Sequence, residues 1–170
     1  NSSKERCLRR KPEQKKRQKF NSKFMPSAVN FLSDKEKDKI VDAIRNAEMN
    51  TTGEIRIHLD EYCPDDAYER AVETFHRLNM DQTPFRNAVL IYIAVKDRKF
   101  SIVGDVAVNE KVSKDFWHNI IEQMQHEFRL GHYCNGMVLC IHKIGDILAS
   151  HFPDLDNYNK NELSDDISFS

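Results

Sequence analysis

The stretch AVLIYIAV, residues 88–95, constrains the fold more than any other part of the chain. Successive strand side chains point to opposite faces of a sheet, so a nearly unbroken apolar run cannot show one face to water. The run is rich in β-branched and aromatic residues and short for a buried helix. It predicts a central strand covered on both sides, which requires a layer above the sheet and another below. KDRK (96–99) is a short polar connection into FSIVG (100–104), so these runs read as a hairpin. EIRIHL (54–59) alternates Ile55, Ile57 and Leu59 with polar residues, the pattern of a half-buried strand.

The covering layers come from helical patterns between and after the strands. Ser33-Asp34-Lys35-Glu36 has the form of a capping box, in which each end residue satisfies the other's backbone N–H. Ile40, Val41, Ile44 and Ala47 recur at helical spacing, and Gly53 marks the stop. Pro64-Asp65-Asp66 opens a second helix with Ala67, Ala71, Val72, Phe75 and Leu78 on its inner face. Two more helices are predicted, over about 113–130 and 135–151, the last stopped by Pro153. Phe116, Trp117, Ile120, Ile121, Met124 and Phe128 form a core stripe on the first of these. The element order αβαββαα places the chain in the α/β class, as a single three-layer α/β/α sandwich with a small mixed sheet. The first two strands are joined through a helix and therefore run parallel, while the hairpin is antiparallel.

The net charge of −1 conceals an asymmetry. Residues 1–28 hold ten Lys/Arg and two acids, whereas the remainder holds sixteen basic and twenty-five acidic residues. Residues 1–28 read as a disordered basic arm, 29–153 as the folded domain, and 154–170 as a polar, acidic tail. Met25 is a candidate native start. Any nucleic-acid or anionic-surface binding falls to residues 1–24, whose cations would release counterions from phosphates. No run of about 18 apolar residues predicts a transmembrane segment, and no apolar core of an export signal follows the basic start. A cytoplasmic location is the resulting expectation. Cys7, Cys63, Cys134 and Cys140 form no CxxC pair or Cys/His finger and read as reduced, structural thiols.

Strand directions locate a candidate site. The end of the third strand should share a sheet edge with the starts of the first two, bringing Gly104-Asp105 near Thr52-Gly53-Glu54 and Arg86-Asn87. Glu54, Asp105 and Asn109 would be hard oxygen ligands for Ca²⁺ or Mg²⁺. Arg86 and the helix start at Ser113 would contact an anion or substrate. Gly53 and Gly104 would be the loop positions that admit it. The competing reading makes Gly104-Asp105 an ordinary turn, with glycine there for positive φ. No catalytic residue is nominated. His58, His126, His132, His142 and His151 have no metal-ligand spacing, and GxSxG, Walker A and GxGxxG motifs are absent, so no nucleotide or organic cofactor is expected.

FLSDKEKDKIVDAIRNAEMNTTGEIRIHL (31–59) and NAVLIYIAVKDRKFSIVGDVAVNEKVSKDFW (87–117) resemble the TPM domain family over about Asn30 to Pro153. The likeness is strong to its short bacterial members, and the ending NELSDDISF (161–169) resembles their tail. Relatives include thylakoid acid-phosphatase-like and photosystem II repair proteins. The resemblance implies an α/β/α sandwich, with acid-phosphatase activity, divalent-cation binding or assistance to membrane-protein complexes credited to some relatives. Matching positions are Thr52-Gly53-Glu54, 88–95, Asp97-Arg98 and Gly104-Asp105 through Asn109. Ala88 and Ala107 stand where the family often has glycine, which restricts close approach of a ligand to the backbone. Three functions are therefore expected of this chain. The favoured one is a divalent-cation- or protein-binding accessory module. The others are a weak metal-assisted acid phosphatase and a binder of anionic surfaces through the basic arm.

Overall fold

The computed structural model of the chain describes residues 26–156 and 163–170. The basic arm, Met25 and the nucleic-acid reading attached to residues 1–24 lie outside them. Helix α1 (Asp34–Glu48) starts where the capping box predicts: Glu36 N–H donates to Ser33 Oγ at 3.4 Å, and Ser33 N–H to Glu36 Oε2 at 2.9 Å. Strand β1 (Glu54–Asp60) follows, then α2 (Ala67–Arg77), whose first N–H groups donate to Asp66. Strands β2 (Ala88–Ala94) and β3 (Lys99–Gly104) form the expected hairpin. Three helices come next, α3 (Val106–Lys111), α4 (Lys114–Arg129) and α5 (Tyr133–His151), and then strand β4 (Ser168–Phe169).

The sheet order is β3-β2-β1-β4. β1 runs parallel to β2 and β4, and β2 antiparallel to β3, so the sheet is mixed as expected. Every residue of β2 is buried. Val89, Ile91 and Ile93 join Ile55, Ile57 and Leu59 in one core, shared with Ile40 and Ile44 of α1, Ile120 of α4 and Ile141 and Ile144 of α5. Ala88, Leu90, Tyr92 and Ala94 point the other way and pack with Ala71 and Phe75 of α2 and with Met80. The two-sided strand thus has its two layers. Gly145 lets α1 and α5 close up: a Cβ there would sit 2.6 Å from Ala47 Cβ.

Two elements extend the expected order. Residues 106–111 form α3, a helix of six residues with one buried side chain, too short to impose a readable period. The end of the tail supplies β4, which pairs two residues with His58 and Leu59 of β1. β1 also differs from a half-buried strand: Glu54, His58 and Asp60 are buried along with the apolar residues. His58 and Asp60 are hydrogen-bonded, which makes their burial tolerable, and β4 covers an edge that would otherwise be open. Cys63, Cys134 and Cys140 are buried free thiols.

Candidate functional site

The register confirms the sheet end: Glu54 lies opposite Ala88, and Val89 opposite Gly104. The ladder continues one step, with Asp105 N–H donating to Ala88 O at 2.9 Å. Arg86 sits at φ +52°, a left-handed conformation rare for a residue with a Cβ. Its guanidinium reaches Asp105 with two bonds, Nε to Oδ2 at 2.7 Å and Nη2 to Oδ1 at 2.9 Å. Bonding to Asp105 raises the Arg86 pKa. Asp105 Oδ1 also accepts from Val106 N–H at 2.7 Å, so this carboxylate caps α3. Gly104-Asp105 is therefore not an ordinary turn: β3 runs directly into a capped helix there.

The remaining nominated residues divide. Asn109 Nδ2 donates to Gly104 O at 2.6 Å, which closes the first turn of α3 onto the end of β3. Glu54 is buried at the start of β1, beside the pair Asn87 Nδ2 to Thr52 Oγ1 at 3.0 Å. Ser113 is exposed and caps α4, accepting from Phe116 N–H at 3.3 Å. Gly53 N–H donates to Thr51 Oγ1 at 3.0 Å, and Leu148 Cδ1 lies 2.9 Å from where a Cβ would be. Gly104 does not have positive φ; its missing Cβ leaves room for Asn109 Oδ1 and Trp117. The expected conformational reason for that glycine is corrected to a steric one.

As arranged, this donor set does not fit a divalent cation. Both Asp105 oxygens accept from Arg86, whose fixed charge would stand beside any incoming metal. Among the described residues, no three His, Cys, Asp or Glu side chains cluster so as to hold a metal ion. The same end does carry apolar surface. Phe85 and Val106 are exposed on either side of the Arg86–Asp105 pair. Met49 (68% exposed) and Leu155 (85%) flank the start of β1, held together by Asp154 N–H to Asn50 O and by the Thr51–Pro153 bridge.

A second polar cluster lies on the α2 face of β1. His58 Nδ1 meets Ser168 Oγ at 2.8 Å, and its Nε2 lies 3.0 Å from Ser170 Oγ, 3.3 Å from Asp60 Oδ1 and 3.3 Å from Arg77 Nη2. Asp60 accepts from Tyr92 OH at 2.6 Å, from Arg70 Nε at 3.3 Å and from Ser170 Oγ. Burial pushes the Asp60 pKa up, but bonds from Ser170, Tyr92 and Arg70 outweigh it and hold the carboxyl below its ordinary value. Burial pushes His58 down; Asp60 opposes this, Arg77 and Arg56 add to it, and the net shift is downward. Burial followed by the bond to Asp60 raises the Tyr92 phenol. Sequence reasoning passed over His58 for want of metal-ligand spacing. The available signal was His58 and Asp60 two apart on one strand face; their partners come from α2, β2 and the far tail.

This arrangement, a mixed sheet between α2 on one face and α1, α3, α4 and α5 on the other, defines an α/β/α sandwich. The TPM domain family model matches residues 27–147, and the chain belongs to that family. The NMR structure of the BA42 protein from the psychrophilic bacterium Bizionia argentinensis is 44% identical, with a TM-score of 0.75 over 83% of this chain and 97% of that one. The N-terminal domain of a P. gingivalis protein, also solved by NMR, shares the fold at 12% identity and TM-score 0.63, covering 80% of this chain and 96% of that one. No curated protein sequence matches. Among the described residues, no helix is long and apolar enough to cross a membrane.

Proposed function

We propose that this TPM domain is a protein-binding accessory module whose recognition surface is the sheet end around Arg86 and Asp105. One observation carries the reading. Four large apolar side chains, Met49, Phe85, Val106 and Leu155, are exposed around an end whose central charges are already paired with each other. Exposed apolar groups beside a fixed ion pair suit a protein surface, where apolar contact supplies affinity and the charges set register. The cation-binding and phosphatase readings use the same residues and require Asp105 to leave Arg86 first.

A photo-crosslinking residue at Phe85 or Val106, compared with one at Leu139 on α5, tests this in the native cell. The reading predicts the same discrete adduct from positions 85 and 106 and not from 139. Equal labelling from all three positions would contradict it. So would phosphate release by the purified chain that is lost in Asp105→Ala with the fold intact.

A further inference from the structure

Residues 163–170 lie along the edge of β1 away from β2, held by backbone pairing, by a few polar contacts and by the apolar side chains of Leu163, Ile167 and Phe169. β4 itself contributes two paired residues. Beyond it, Ser170 N–H donates to Leu59 O at 3.1 Å and Glu61 N–H to Ser170 O at 3.2 Å. At the other end of the segment, Asp165 accepts from Arg45 Nε at 3.2 Å. Between these anchors Ile167 is buried and Phe169 packs on the core, with Lys37 Nζ 6.0 Å above its ring. Both hydroxyls of the segment that face the sheet, Ser168 and Ser170, end on His58. One buried imidazole therefore bridges the domain and the segment through both of its ring nitrogens.

We infer that residues 163–170 are a strap released from β1 when His58 takes up a proton, which uncovers the β1 edge. This inference is independent of the recognition surface around Arg86. The groups facing His58 set its sign. From β1 come Asp60 and Arg56, from β2 Tyr92, from α2 Arg77, and from the strap Ser168 and Ser170; Arg70 bears on it through Asp60, and Asp166 through Arg56. Asp60 is the counter-charge within bonding distance, and it already accepts from Tyr92, Arg70 and Ser170. Arg77 lies directly against Nε2, so a charged imidazole would meet a cation there, and burial together with Arg77 and Arg56 outweighs the Asp60 carboxylate at 3.3 Å. With the strap off, His58 reaches water and regains its ordinary basicity. Protonation therefore favours the open form: each pH unit below about 6.5 raises the open-to-closed ratio by up to about tenfold, until the closed form also protonates. Asp60 contributes to the same segment, but its own protonation belongs below about pH 3.8, outside this window.

The test uses the 170-residue chain from pH 8 to pH 5. Amide NMR follows Ser168, Phe169, Ser170 and Glu61, and ring resonances follow His58 in the same samples. The expected result is that these amides move together with His58 ionisation, at a midpoint below 6.5, while Ile91 and Ile93 hold their positions. His58→Gln should abolish the transition. Ser168→Ala, which keeps His58 and removes its Nδ1 partner, should weaken closure and move the midpoint upward. Strap amides that stay in place while His58 ionises would overturn the inference. A transition that persists at the same pH in His58→Gln, or a midpoint that Ser168→Ala leaves unmoved, would also overturn it.

Discussion

Arg86 combines a left-handed backbone with a two-pronged bond to a buried carboxylate, and each half makes a separate prediction. Replacing it removes charge-assisted bonds and leaves Asp105 without its cation, which should cost about 1.5–3 kcal/mol in urea denaturation. Arg86→Ala also keeps the unfavourable φ, whereas Arg86→Gly relieves it, so alanine should be worse than glycine by about 1 kcal/mol. Equal stabilities would mean that the turn relaxes away from φ +52°. Glu48 supplies a second residue-level prediction. Burial, added to by Glu54 and Asp165, pushes its pKa up to about 9 even though Ile55 N–H donates to it at 2.6 Å. The folded chain keeps a proton that the unfolded chain loses above about pH 4.3, so stability should fall as pH rises from there toward 9, by up to about 1.4 kcal/mol per pH unit. Glu48→Gln keeps a carbonyl for Ile55 N–H and should remove that slope; denaturation midpoints at pH 5 and pH 8 measure it. Strand order alone brings Arg86 and Asp105 to one edge. Their mutual bond was not legible, because Arg does not announce a left-handed turn as Gly or Asn does.

At the scale of elements, what could be read followed the length of the pattern. α1 carries a capping box and several turns of period, and β2 an unbroken apolar run; both stand where the sequence puts them. α3 is under two turns long and β4 has two paired residues, so neither leaves a period to detect. Their positions depend on distant partners: Arg86, which holds the Asp105 cap of α3, and His58 with Leu59 for β4. Helix-to-helix distance is equally silent in one sequence. Gly145 would look like a helix weakness, yet the gap it leaves is filled by Ala47 of α1. Gly145→Ala should therefore destabilise the fold by about 1–3 kcal/mol, despite the better helix propensity of alanine. A variant as stable as the parent in thermal unfolding would show that α1 can move aside.

Across the whole molecule, a strand buried on both faces forces three layers, and the path of the chain then brings the starts of β1 and β2 to the end of β3. That end carries the nominated residues Gly53, Glu54, Arg86, Gly104, Asp105 and Asn109, and Ser113 caps the start of α4. If that end is the proposed protein-recognition surface, with Asp105 locked to Arg86, it offers a metal no open set of oxygen ligands. The most direct measurement is a Ca²⁺ and Mg²⁺ titration of the 170-residue chain, followed by amide NMR. The expected result is no saturable shift at Glu54, Asp105 or Asn109 up to millimolar ion, with the Arg86 side-chain resonances unmoved. Saturable shifts concentrated on those three residues, with Arg86 released from Asp105, would contradict it.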